Sequence, residues 1–111
     1  MECFSNFLFF NDAGVASISN ALSNHGAGRT FIIEVSGTHT GLKIDIEGSV
    51  DFETPVYTAL STKDAKTGTV AAQITANGIY IIDAIGISSI RANLVQITTG
   101  EVKVFGKLMS Y

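Results

Sequence analysis

Residues 78–106, GIYIIDAIGISSIRANLVQITTGEVKVFG, hold three alternating apolar runs separated by glycine-bearing turns. Side chains of a strand alternate between its two faces, so Tyr80, Ile82 and Ala84 share one side while Ile79, Ile81 and Asp83 share the other. A helix would scatter both sets. The same period sets Ile90, Ala92 and Leu94 against Arg91, Asn93 and Val95, and Val102 and Val104 against Lys103 and Phe105. Asn77 and Gly78 form the pair best able to adopt positive φ, so ITANGIYI predicts a hairpin with a primed two-residue turn. Thr99 and Gly100 predict a second hairpin, between residues 90–98 and 101–109.

Outward from this stretch the pattern continues. Residues 30–36 (TFIIEVS) set Phe31, Ile33 and Val35 against Ile32, Glu34 and Ser36, and residues 42–47 (LKIDIE) set Leu42, Ile44 and Ile46 against Lys43, Asp45 and Glu47. Both read as half-buried strands. Pro55, the only proline, opens PVYTALS and predicts an edge strand, where one amide donor can be spared. Residues 23–28 read as a glycine-rich loop and residues 61–69 as a polar loop. Only residues 15–22 offer a short helix, and no segment combines helical periodicity with caps and length. Short strands at regular spacing predict an all-β fold: an antiparallel two-sheet β-sandwich of about eight strands, jelly-roll or Greek-key-like. A chain of 111 residues has length for one core, so a single domain is expected. Residues 30–111 would form its body. Residues 1–29, an aromatic arm and the first strand or strands, would close the same fold or swap onto a neighbour.

Composition narrows the function. Charged residues make up 15% of the chain, against about 25% in typical soluble domains, and hydrophobic residues make up 46%. A fully exposed monomer would have an unusually uncharged surface, which favours association over a Thr/Ser/Asn-coated monomer. The net charge is −3 with no basic run, so nucleic acid is not an expected partner. The single cysteine, Cys3, excludes an internal disulfide and a cysteine-based zinc site. The start, MECFSNFLFFNDAG, carries Glu2 and no basic n-region, so it makes a poor secretory signal. No run approaches the ~18 apolar residues of a membrane span, and membrane insertion is not expected.

No catalytic motif emerges. His25 and His39 with Asp45, Glu47, Asp51 and Glu53 lack diagnostic metal-ligand spacing, and a turn histidine and a wet strand face explain them more simply. No Gly-x-Ser-x-Gly elbow is present, and Gly26-Ala27-Gly28-Arg29 lacks the Lys-Ser/Thr of a phosphate loop. No enzyme activity and no cofactor are expected. Asp83 and Arg91 lie in apolar runs and face away from the assigned core, predicting an ion pair across strands or between subunits. Ile81, Val95 and Phe105 are read on that same outward side, as an apolar surface of the kind that marks an interface.

Residues 30–109 resemble a small β-sandwich module of tailed-bacteriophage and prophage virion proteins, found in tail, baseplate and head-fibre components. The resemblance rests on VSGTHTGLKIDIEGSVD (residues 35–51), read as a hairpin followed by Glu-Gly-Ser-x-Asp, and on residues 78–106. Gly78, Tyr80, Asp83, Gly86, Ile90, Arg91, Gly100, Val102, Val104 and Gly106 stand where such modules carry the same residue types. The resemblance implies a non-enzymatic structural protein of the virion, made in the bacterial host cytoplasm, that forms a homo-oligomer and docks on other virion proteins. Phe4, Phe7, Phe9 and Phe10 of the arm, with Ile81, Asp83, Arg91, Val95 and Phe105, are its expected interface. Assembly through the arm predicts that removing residues 1–11 converts an oligomer to a monomer. The alternative is a carbohydrate- or cell-wall-binding module for host attachment, with Asn24, His25, His39, Tyr57 and Tyr80 touching a cell-surface glycan. The complete lack of tryptophan weakens that alternative, since sugar rings stack on aromatic platforms.

Overall fold

The computed structural model describes residues 4–24, 29–51 and 53–109; the side chains of Phe4 and Ser5 lie outside the described part. Eleven strands are found among the described residues: β1 Phe4–Ala13, β2 Ser17–Ile18, β3 Leu22–Ser23, β4 Thr30–Thr40, β5 Lys43–Ser49, β6 Thr58–Ala59, β7 Thr62–Asp64, β8 Val70–Ala71, β9 Gly78–Asp83, β10 Ser89–Gln96 and β11 Thr99–Met109. They form a six-stranded sheet in the order β1-β11-β4-β9-β7-β8 and a five-stranded sheet in the order β2-β10-β5-β6, with β3 also on β10. All pairings are antiparallel. The two sheets pack as a β-sandwich, as the alternation predicts. Residues 15–22 hold the short strands β2 and β3 and no helix; their amides and hydroxyls bond to β10 instead, as when the Ser19 hydroxyl accepts from the Ala92 amide at 2.9 Å.

Each long strand buries one side. Phe31, Ile33 and Val35 of β4, Tyr80 and Ile82 of β9, and Val102, Val104 and Leu108 of β11 face Ile44 and Ile46 of β5 and Ile90, Ala92 and Leu94 of β10 across one apolar core. The assigned inward residues are therefore correct. Their strand partners are not those expected. β10 belongs to the five-stranded sheet and β11 to the six-stranded one, so residues 97 and 98 carry the chain from one sheet to the other. Gly100, at φ +87°, sits inside β11 opposite His39; a Cβ there would run into the Thr38 carbonyl oxygen. ITANGIYI is likewise no hairpin: Ile74 bridges Ile44 in the opposite sheet, while β9 pairs with β4 and β7. Residues 35–51 pass from β4 in one sheet to β5 in the other. Sheet-switching connections and hairpins have the same alternating flanks, so periodicity cannot separate them.

The aromatic arm is the edge strand β1, paired with β11 from Phe4↔Met109 to Ala13↔Val102. Register shifts between Leu8 and Phe10, and again before Ala13, mark bulges. A bulge lets two successive side chains point inward, and Phe9 and Phe10 are both buried, at 7% and 8% exposure. They are core residues of this chain, which corrects their reading as interface residues. The Phe9 ring meets Phe31 edge-to-face at 5.6 Å and Phe7 at 4.8 Å. This cluster occupies space that Gly106 leaves open: a Cβ there would overlap the Phe31 ring and come within 2.8 Å of Phe9. Removing residues 1–11 would therefore take apart an edge of the core, not detach a tether.

The loop of residues 61–69 contains β7 and turns into β8. The Asp64 carboxylate accepts from the Lys66 amide at 2.8 Å, and the Asp64 carbonyl accepts from Gly68. β6, three residues beyond Pro55, lies at the edge of its sheet.

Candidate interaction surfaces

The sandwich presents two outer faces with different chemistry. On the six-stranded sheet the register aligns Leu8, Phe105, Glu34 and Ile79 in one row across β1, β11, β4 and β9. The neighbouring row runs Asn6, Lys107, Ile32, Ile81 and Lys63. Leu8, Phe105 and Ile79 are 44%, 37% and 46% exposed, and Ile32 and Ile81 are half-buried between them. Five apolar side chains on four adjacent strands make a contiguous patch with Glu34 and three lysines, Lys63, Lys103 and Lys107, among and around it. Period two places Ile32 and Ile79 outward, and Leu8 alternates with inward Phe9. Only the register shows that they meet Phe105 and Ile81.

The five-stranded sheet turns outward a ladder of polar groups that satisfy one another. Arg91 stands opposite Glu47 and Asn93 opposite Asp45. The Arg91 Nε donates to Glu47 Oε1 at 2.8 Å, and the Asn93 amide donates to Glu47 Oε2 at 3.2 Å. Gln73 donates to Asp45 at 2.9 Å. The Arg91 guanidinium lies 3.9 Å from the centroid of the Tyr57 ring, and the Tyr57 hydroxyl bonds Ser89 at 2.7 Å. Cation–π contacts of this kind contribute about 0.5–2 kcal/mol according to desolvation.

Within the chain the expected Asp83–Arg91 pair does not form across strands. The two residues belong to different sheets, and Asp83 instead accepts from the Ile85 amide at 3.1 Å in its own turn. Val95, 44% exposed, lies on β10 and so on the other outer face from Ile81 and Phe105. The presumed single outward surface is two. Of the arm, Phe7 is half-buried against the core, and the Phe4 side chain lies outside the described part.

The residues proposed for glycan contact do not converge. His25 lies outside the described residues. Asn24 is 4% exposed and Tyr80 8%, which withdraws both from the surface. The Tyr80 hydroxyl donates to the Ala76 carbonyl at 2.8 Å; burial, then the charge of Asp64, pushes its pKa up. His39 bonds the Asn77 side chain at 2.7 Å, and Asn77 in turn donates to the Gly37 carbonyl at 2.9 Å. This cluster sits at the Thr40 end of β4, whereas Tyr57 lies beside Ser89 at the start of β10, the opposite end of the sandwich. The ring face of Tyr57 nearest Arg91 is covered. Among the described residues no three of His, Cys, Asp and Glu gather as metal ligands.

Asp51, after β5, shows how acidic residues here serve the backbone. Its carboxylate accepts from the Thr54 amide at 3.1 Å, the Thr54 hydroxyl at 2.9 Å and the Glu53 amide at 2.9 Å. These bonds, the Thr54 amide first, hold its pKa below the ordinary aspartate value.

Among known proteins, the family model XepA matches residues 4–108. The solved structure of the SPBc2 prophage-derived protein YomS superimposes with a TM-score of 0.87 at 22% identity, covering 99% of this chain and 96% of YomS. That of the PBSX exported protein XepA superimposes with a TM-score of 0.91 at 22% identity, covering 98% of this chain but only 38% of XepA. The chain thus spans little more than a third of XepA. No curated protein matches. At 22% identity the two solved structures show the fold, and YomS is described as prophage-derived.

Proposed function

The chain belongs to the XepA family, and from that premise we propose that it is a non-enzymatic structural protein of a bacteriophage or prophage particle, which self-associates and docks on other virion proteins. The observation that carries this reading is the outer face of the six-stranded sheet, where Leu8, Ile79 and Phe105 stand exposed around half-buried Ile32 and Ile81. Contiguous exposed apolar surface of this kind marks contact sites on soluble proteins. The prophage origin printed for YomS favours the particle context, and the word "exported" in the XepA description agrees with a protein that leaves the host cytoplasm where it is made. Among the described residues several polar side chains serve the fold: Glu47 holds Arg91, His39 bonds Asn77, and Asp51 and Asp83 accept from neighbouring amides.

Self-association is tested by light scattering on a sizing column with the full chain and with Phe105→Glu and Leu8→Glu. The expected result is a defined oligomer that either substitution shifts to monomer while the circular dichroism spectrum stays unchanged. A full chain that is monomeric at all concentrations removes self-association from the reading and leaves docking on other proteins. The glycan-binding alternative is not favoured, because Tyr80 and Asn24 are buried, one ring face of Tyr57 is covered, and His39 lies at the opposite end of the sandwich from Tyr57.

A further inference from the structure

The six-stranded sheet opens at one corner. The β7–β9 ladder holds only Lys63↔Ile81 and Asp64↔Tyr80, and before Thr62 the chain departs through Ser61 toward β6 in the other sheet. Beyond Ile81, β9 continues to Asp83 with β4 on one side and, among the described residues, no strand on the other. The parting strands leave a groove of about 570 Å³ into which both faces of the sheet contribute: Ile81 and Lys63 from the outer side, Ile82 and Thr62 from the inner. Its volume falls within the roughly 300–1,000 Å³ of small-molecule sites.

Three features define what such a groove would hold. Its accessible walls are aliphatic, with half-buried Ile81 joined by Val70 and Ile85, which are 63% and 67% exposed, over the fully buried Ile82. Its rim carries Lys63 and Arg29, both exposed, and among the described residues neither has an ion pair or side-chain hydrogen bond. Arg29 is nonetheless fixed at the backbone, donating to Met109 and accepting from Ala84 at 2.7 and 2.9 Å. The one carboxylate at the groove, Asp83, accepts from the Ile85 amide, and the buried Thr62 hydroxyl donates to Ala71. Two cations against the single Asp83 carboxylate leave the rim with an excess of positive charge beside the aliphatic walls. On a chain of net charge −3, that pairing is local chemistry and not a general basic surface.

We propose that this groove binds a small amphiphilic anion, its apolar body on Ile81, Ile85 and Val70 and its anionic head between Lys63 and Arg29. An extended peptide is the poorer fit, because strand addition needs a length of free edge and the outermost strand here, β8, has two residues. The groove adjoins the assembly patch and shares Ile81 and Lys63 with it, but the two are tested at different residues, since the assembly reading rests on Leu8, Phe105 and Ile79.

The test is an amide NMR titration of the full chain with decanoate below its micelle-forming concentration, with decanol as the neutral control. Saturable shifts confined to Ile81, Ile82, Ile85, Val70 and Lys63 are expected. Lys63→Gln and Arg29→Gln, both at exposed positions, should each weaken binding about tenfold, the scale of one lost charge-assisted hydrogen bond, and decanol should bind as weakly as decanoate binds the variants. Equal binding of decanol and decanoate, or affinities unchanged in both variants, would overturn the proposal. So would shifts centred on Leu8 and Phe105, or binding seen only with an acidic peptide or with phosphatidylglycerol vesicles.

Discussion

The two outer faces of the sandwich are built on the same core and by the same alternation, yet they end in opposite states. The five-stranded face closes its own chemistry: Glu47 takes both Arg91 and Asn93, and Arg91 lies over Tyr57. The six-stranded face leaves Leu8, Ile79 and Phe105 open to solvent with no comparable polar ladder among the described residues, whereas the exposed Val95 and Ile18 of the five-stranded face lie beside one. A face whose polar groups are mutually satisfied offers little to a partner, since docking would first have to desolvate and replace bonds already made. An open apolar face gains free energy from every contact that removes it from water. Function should therefore reside on the six-stranded side, and stability should draw more on the polar network of the five-stranded side.

Changes to the shared core should abolish the contrast altogether. Phe31→Ala empties a fully buried site between the faces and is expected to cost about 3–5 kcal/mol, measured by urea unfolding. Gly106→Ala adds a methyl where the Phe9 and Phe31 rings already meet; overpacking of this sort costs about 1–3 kcal/mol, and losing the Phe9 contact would show in the near-ultraviolet circular dichroism. A neutral outcome at Gly106 would mean that the edge strand β1 is looser than its register indicates.

The faces themselves are separated by a matched pair of substitutions. Glu47→Ala removes the acceptor of both Arg91 and Asn93 and should cost about 1–2 kcal/mol, because it strands partly buried donors. Phe105→Ser should cost the isolated chain within about 0.5 kcal/mol, as surface changes do, while altering association. If the costs were reversed, the division between a functional and a structural face would fail.

The smallest effect concerns Asp51, beside the five-stranded face. Its folded-state pKa lies below the ordinary value, so its contribution is present above the ordinary aspartate range and is lost as pH falls through the folded value. Asp51→Asn should therefore flatten the acid side of the stability profile slightly, and a carbon-detected NMR titration should find the Asp51 midpoint below that of an unbonded aspartate.

Much of the fold was legible because burial of one side of a strand writes itself into the chain at every second residue. Tyr80, Ile82, Ile90, Leu94, Val102 and Val104 were all assigned inward correctly for that reason. What each strand pairs with was not legible. The turn chemistry at Thr99 and Gly100 suits a hairpin, yet the positive φ of Gly100 serves close passage beside Thr38 within β11. Phe9 and Phe10 escaped for a related cause: strict alternation allows only one of two neighbours inside, and the bulge that admits both is a property of the β1–β11 ladder. The candidate surface suffered most. Phe105 and Ile81 were found, but Val95 was grouped with them and Asp83 was matched to Arg91, because period two says in or out and not which of two outer faces.

By itself, then, the amino-acid sequence determined an all-β chain of half-buried strands with few charges and no catalytic motif. Only the tertiary structure decided which strands share a sheet, that the aromatic arm is core, that Arg91 belongs to Glu47, and that Leu8, Phe105 and Ile79 form one patch. The physical reason is that side-chain alternation is a local property of each strand. Register, bulges and sheet-switching connections are set by pairings between residues as far apart as Phe4 and Met109.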